Sequence, residues 1–229
     1  MCMIIAHRGV HDNKEIPENS MKAFKLALDK KYNIEFDIHV TKDEKLVIFH
    51  DDNLKRMTGV DRFIEDLTLD ELKKLKLLDT DEVIPEFKDL LELVSGKVLL
   101  DIEIKSTKKV KLVCKLVLEE LKNYKGEILL KSFNPFIVKE LKKKSDYKVG
   151  LLITKKSPNK ILNLFVNTGL IYLFKFDFIA VSKKMLNDKY YKKYSKKYPI
   201  YLWTLKGAED AKKYVNKYKD INLICNDLK

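Results

Sequence analysis

The chain has 229 residues, 45% of them apolar and 35% charged, with 7 glycines and 5 prolines. That balance excludes disordered, collagen-like and low-complexity proteins, and the length suits one sizeable core. The formal net charge is +12, nearly all of it lysine, since Arg8, Arg56 and Arg62 are the only arginines. Solvated helix faces account for such a surplus, although a field of that sign also attracts anionic substrates.

Three scattered cysteines (Cys2, Cys114, Cys225) show neither a disulfide framework nor metal-type spacing, which suits a reducing, cytoplasmic compartment. The first residues reach a charged pair at His7-Arg8 without a long apolar run, so no signal peptide is expected. The most apolar stretch, 161–181, is interrupted by Asn163, Asn167, Lys175 and Asp177, short of the roughly 20 apolar residues a membrane span needs. A helix and a following strand fit it better.

In chain order, strands are predicted near Met3–His7, Ile34–His39, Lys97–Ile104, Glu127–Ser132, Lys148–Ile153, Phe176–Val181, Pro199–Thr204 and Asn222–Cys225. Helical patterns fall between most of them, at Ser20–Lys31, Val110–Tyr124, Pro135–Lys144 and Ala208–Tyr218, with starts marked by Asn19-Ser20 and Asn134-Pro135. Eight strands in β–α alternation predict an α/β fold of the (β/α)8 TIM-barrel type, a fold that typically takes ~250 residues; an open doubly wound sheet is the alternative. Residues 40–96 are too many for one crossover. They begin with a polar turn, Thr41–Lys45, followed by Leu46–His50, which predicts a hairpin on the second strand with His50 opposite Phe36. Two helical stretches, Thr68–Lys76 and Glu86–Leu93, complete this insertion. The whole of 1–229 reads as one domain. Near its end, Lys189–Lys197 interleaves Tyr190, Tyr191 and Tyr194 with lysines, and Tyr198 follows. An amphipathic helix with its tyrosines on the barrel is the expectation, rather than a nucleic-acid or membrane surface.

The chemistry collects on two strands. Alternate strand residues share a face, so Glu35, Asp37 and His39 lie together, as do Asp101, Glu103 and Lys105. Both faces of a barrel strand are normally apolar, and burying such charge is costly unless it meets water, a counter-charge or a metal. A salt-bridge network through Lys105 and Arg8 is one outcome. A cation held by Glu35, Asp37 and Glu103 is the functional one, and an all-oxygen donor set selects a hard ion. His7 and His50 each end a strand beside these acids and suit an acid–base pair, while Arg8 and Lys105 suit phosphate oxygens. His11 and His39 are placed outside the reacting pair.

These residues resemble the glycerophosphodiester phosphodiesterase family. The likeness runs through Ala6-His7-Arg8-Gly9, Pro17-Glu18-Asn19-Ser20, Ile34-Glu35-Phe36-Asp37-Ile38 and Val47-Ile48-Phe49-His50-Asp51. It continues in Asp101-Ile102-Glu103-Ile104-Lys105, Ser132-Phe133 and Trp203-Thr204. The resemblance implies a TIM-type barrel and metal-dependent hydrolysis of a small glycerophosphodiester to glycerol 3-phosphate and an alcohol. By motif, His7 and His50 match the catalytic pair and Glu35, Asp37 and Glu103 the ligands of Mg²⁺ or Ca²⁺, with Mn²⁺ a third candidate. Arg8 and Lys105 match phosphate contacts, and Trp203 matches a wall of the substrate pocket. Without the resemblance, the single tryptophan reads as core. Related barrels that act as lysophospholipase D or on phosphoinositide headgroups are the alternative. No nucleic-acid partner is implied, and contact with a membrane surface is not expected. Three departures stand out: Tyr32-Asn33 and Glu44 where the family has glycines, and Cys225-Asn226-Asp227 in place of Thr-Asp.

Overall fold

The computed structural model describes residues 3–154 and 174–228. Strands β1 (Ile4–His7), β2 (Asn33–Val40), β4 (Leu100–Ile104), β5 (Ile128–Ser132), β6 (Lys148–Ile153), β7 (Phe178–Ser182), β8 (Ile200–Lys206) and β9 (Ile221–Asn226) run parallel in a closed ring. The ring shuts where β1 pairs with β9, Ile4 against Leu223 and Ala6 against Cys225. The last strand therefore completes the barrel despite its unusual sequence. The open-sheet alternative is ruled out by this closure.

Helices lie between the strands because the chain alternates two periodicities. Helix Met21–Asp29 begins at Ser20, whose hydroxyl accepts the Ala23 N–H, and helix Pro135–Lys144 at Asn134, whose side chain accepts the Phe136 N–H. Their apolar stripes pack on the outward faces of the strands. Phe36 of β2 sits between Phe24 and Phe87, with ring centroids 5.9 and 5.8 Å away. Inside, Ile5, Leu99, Leu129, Leu152, Phe178, Tyr201 and Ile224 form an apolar floor. Gly150 of β6 belongs to that floor by omission, since a Cβ there would lie 2.1 Å from the Phe178 ring.

The predicted hairpin is present. Strand β3 (Leu46–Ile48) pairs antiparallel with β2, Val40 against Leu46 and Ile38 against Ile48, the register that sets His50 level with Phe36. Its turn puts Glu44 at φ 61°, the left-handed conformation a glycine would take without cost. The insertion buries its own apolar cluster, including Val47, Phe49, Leu54, Met57, Ile64, Leu72 and Leu77. The predicted helix over 68–76 shortens to Leu69–Leu72, opened by a Thr68–Glu71 capping box. Leu72 and Leu77, five residues apart, would face different sides of a continuing helix. The chain leaves the helix so that both reach the cluster. The helix predicted ahead of β7 falls largely outside the described residues.

Around 188–198, Tyr191, Tyr194 and Tyr198 pack inward, and the Tyr190 side chain lies outside the described residues. Tyr194 is buried, Tyr191 lies 4.5 Å from Tyr218 and Tyr198 lies 4.5 Å from Phe176, ring to ring, while Lys192, Lys193, Lys196 and Lys197 face solvent.

Candidate active site

The parallel ladder between β2 and β4 sets Glu35 beside Asp101 and Asp37 beside Glu103, and β1 sets His7 beside Glu35. In-register neighbours on parallel strands point to the same side. The charged faces of both strands therefore converge inside the barrel, above the apolar floor. Oxygens of Glu35, Asp37 and Glu103 lie within 4.8 Å of one another, and all three residues are buried. Each carboxylate is held. Glu35 accepts the Arg8 backbone N–H (3.2 Å) and faces Lys131 Nζ (3.1 Å). Asp37 accepts from Lys105 (2.7 Å) and from the Asn19 amide (2.9 Å), with Arg8 Nε 3.4 Å away. Glu103 accepts from Lys105 (2.8 Å). Burial would raise Asp37, but Lys105 and Arg8 outweigh it and hold this carboxyl well below its usual range.

The histidines approach the acids from two sides. His7 is anchored through Nδ1 to the Asn226 side-chain oxygen at 2.6 Å, which leaves Nε2 3.9 Å from Glu35. Burial first, and the Arg8 guanidinium second, push His7 down to about 3, so its ring is neutral at pH 7. His50 is anchored through Nδ1 to Asp51 at 2.5 Å, and Asp51 in turn accepts from Arg56 Nε at 2.5 Å. Arg56 and Arg8 then converge on one oxygen of Glu18, each at 2.7 Å. Two of the three arginines thus meet on a single buried carboxylate. Burial would raise Glu18, but the hydrogen bond and charge of Arg56, with the charge of Arg8, bring it down to about 2.

A cavity of 780 Å³ opens on the His50 and Glu103 side of this constellation, lined among others by His50, Arg56, Glu103, Lys105, Phe63 and Phe133. A neighbouring cavity of 380 Å³ shares Asp52, Phe63, Lys105 and Ser106 with it and reaches His39. Phe63, from the insertion, is 52% exposed at their common lip. His39 is itself buried, its Nε2 3.4 Å from the His50 carbonyl oxygen, and burial pushes it down to about 4. Trp203 does not line the larger cavity. It packs edge-on against Phe133, with centroids 5.7 Å apart, and caps the barrel floor. His11 stays outside the acidic cluster, and burial lowers it from its ordinary value.

Seven of the sequence-derived residues, His7, Arg8, Glu35, Asp37, His50, Glu103 and Lys105, therefore meet at one barrel mouth, and Trp203 touches it through Phe133. Sequence reasoning assigned no role at the site to Glu18, Asn19, Asp51, Arg56, Lys131 and Asn226. Lys131 carried a signal, as a lone lysine at an inward position of the apolar run Ile128–Ser132.

A model of the glycerophosphoryl diester phosphodiesterase family matches residues 7–219. A glycerophosphodiester phosphodiesterase of Caldanaerobacter subterraneus subsp. tengcongensis is 37% identical over 166 residues, covering 66% of this chain and 66% of that protein. A lysophospholipase D of Homo sapiens is 35% identical over 184 residues, covering 73% of this chain and 56% of that protein. The chain thus spans less than two thirds of the length of these relatives. Among solved structures, a glycerophosphodiester phosphodiesterase of Thermotoga maritima superposes with a TM-score of 0.76 at 28% identity, over 98% of this chain and 94% of that one. An Oleispira antarctica phosphodiesterase, at 22% identity over 98% of this chain and 92% of that one, gives a TM-score of 0.81 and shows the same fold.

Proposed function

The chain belongs to the glycerophosphoryl diester phosphodiesterase family, and from that premise we propose that it hydrolyses glycerophosphodiesters to glycerol 3-phosphate and an alcohol. The observation that carries the proposal is the convergence of two side-chain-anchored histidines, three clustered carboxylates and two cations at one barrel mouth, where His50, Glu103 and Lys105 line the 780 Å³ cavity. The Oleispira antarctica relative was solved with the product sn-glycerol-3-phosphate, the product proposed for this chain.

Glu35, Asp37 and Glu103 fit a hard divalent cation: they are oxygen-only donors, mutually repelling, and close enough for one ion to touch all three. A bound Mg²⁺, Ca²⁺ or Mn²⁺ would relieve that repulsion and polarise the phosphate oxygens. Lys105 and Arg8 add fixed positive charge for the non-bridging oxygens as negative charge develops on them. One imidazole takes the proton of the attacking hydroxyl, either water or the neighbouring glycerol hydroxyl, and the other protonates the departing alcohol. Attack by the glycerol hydroxyl gives a cyclic phosphate first, which water then opens to glycerol 3-phosphate. Because Asn226 and Asp51 occupy the Nδ1 positions, Nε2 of each ring is the atom left to exchange protons. Trp203 acts by holding Phe133 at the cavity wall.

A second reading, lysophospholipase D or phosphoinositide-headgroup cleavage, draws on the exposed Phe63 at the cavity lip and the lysophospholipase D relative. Among the described residues no helix is long and apolar enough to cross a membrane. The reducing, cytoplasmic setting read from the sequence is part of this proposal, and the buried Cys114 and Cys225 fit it.

The test is release of glycerol 3-phosphate from glycerophosphocholine by chelator-stripped protein, before and after adding Mg²⁺, Ca²⁺ or Mn²⁺. Release restored by a cation and absent in His50→Ala supports the reading. Silence on glycerophosphocholine with turnover of a lysophospholipid or of glycerophosphoinositol favours the second. Silence on all three substrates refutes both.

A further inference from the structure

Lys131 has no place in the reaction just described, yet it is the most deeply buried cation at the site. It stands on β5 one step above Leu129 of the barrel floor, with its side chain 1% exposed, and it lines neither cavity. A buried ammonium costs several kcal/mol to desolvate unless it is well paired. Lys131 has two partners: Asp101 at 2.6 Å and Glu35 at 3.1 Å. Burial pulls its pKa down, but the charges of Asp101 and Glu35 outweigh burial, and the group stays protonated.

The two acids play different parts. Asp101 is 0% exposed and is not a member of the cluster formed by Glu35, Asp37 and Glu103. It balances the lysine, so the pair steers its surroundings without adding net charge that would repel a cation. Glu35 is held at both oxygens, Oε1 by Lys131 and Oε2 by the Arg8 backbone N–H. By contrast, Asp37 and Glu103 share Lys105, which lines the mouth and can turn toward a phosphate. Lys131 has no such freedom, and Glu35 is the member of the carboxylate cluster that it contacts.

We propose that Lys131 is a positioning residue which, anchored by Asp101, holds the Glu35 carboxylate in the orientation needed to join Asp37 and Glu103 around a divalent cation. The proposal rests on the cation reading given above. It differs from a simple charge-balance role, in which Lys131 serves only to neutralise Asp101.

Calorimetric titration of chelator-stripped protein with Mn²⁺ separates these roles in wild type, Lys131→Met and the charge-neutral pair Asp101→Asn/Lys131→Met. Asp101→Asn/Lys131→Gln serves as a second neutral pair, and the melting temperature of each apo protein reports its folding. Groups that orient metal ligands from behind typically contribute ~10–100-fold to affinity, and a loss of that size is expected in Lys131→Met and in the Asn/Met pair. The neutral pairs should melt near wild type, and Asn/Gln should regain part of the affinity, because the amide can still donate to Glu35. Wild-type affinity in the Asn/Met pair would overturn the positioning role, leaving charge balance. If wild type binds Mn²⁺ but turns over no diester, the hydrolytic reading fails while the positioning role is still measured. If wild type binds no cation, both fall.

Discussion

His50 and Asp51 are adjacent in the chain and hydrogen-bonded at 2.5 Å, so the imidazole that faces the cavity is oriented by its own neighbour. Replacing His50 by alanine should lower kcat by at least ~10²-fold, the usual scale of acid–base catalysis. Asp51→Asn should cost less and leave KM nearly unchanged, because an amide oxygen can still accept from Nδ1; steady-state kinetics of both variants check this. Glu18 makes a pH prediction. Its carboxyl is depressed to about 2 in the folded protein against an ordinary 4.5, so the folded state binds its proton less readily than the unfolded chain. Its stabilising contribution is therefore complete above pH 4.5 and disappears as pH falls toward 2. In urea titrations, wild type should exceed Glu18→Gln in stability at pH 6, and the gap should narrow steadily from pH 4.5 to pH 2.

Among the elements, β6 carries the sharpest packing demand. A methyl at position 150 would collide with the Phe178 ring inside a closed barrel that has no space to yield. Gly150→Ala should destabilise by about 1–3 kcal/mol, the usual range for overpacking, and Phe178→Leu in the same chain should recover part of the loss in a thermal melt. The β2–β3 hairpin bears a smaller strain. Glu44 occupies a left-handed conformation that costs a non-glycine residue roughly 1–2 kcal/mol. Glu44→Gly removes that cost but frees the unfolded chain by about 0.4–1 kcal/mol, so a net gain of roughly 0.5 kcal/mol is expected in the denaturant midpoint. Position 44 was legible as a departure from the family's glycine, and the hairpin register followed from the turn and the alternation around it. The length of the helix after Thr68 was not legible, because it depends on the insertion's own cluster drawing in Leu77.

Across the whole molecule, Glu35, Asp37, Asp101 and Glu103 converge with Arg8, Lys105 and Lys131 inside one barrel, and a divalent ion should add to the stability of this arrangement. Saturating Mn²⁺ should raise the melting temperature of chelator-stripped protein, with about 2.7 kcal/mol gained at a hundredfold excess over Kd. An unchanged melting curve at every concentration would remove the cation from the site. The strand–helix order, the charged faces of β2 and β4 and the seven polar residues at the mouth were determined by the sequence alone. They follow from a two-residue side-chain period and from chain order, both local properties. The partners of those residues were decided only by the tertiary structure. Asn226 reaches His7 across 219 residues because β9 closes on β1. Arg8 and Arg56 meet on Glu18 because the insertion folds back over the first loop. Lys131 finds Asp101 and Glu35 because β5 and β2 flank β4. Which charges touch depends on ring closure, register and side-chain reach together, and no spacing along the chain encodes that.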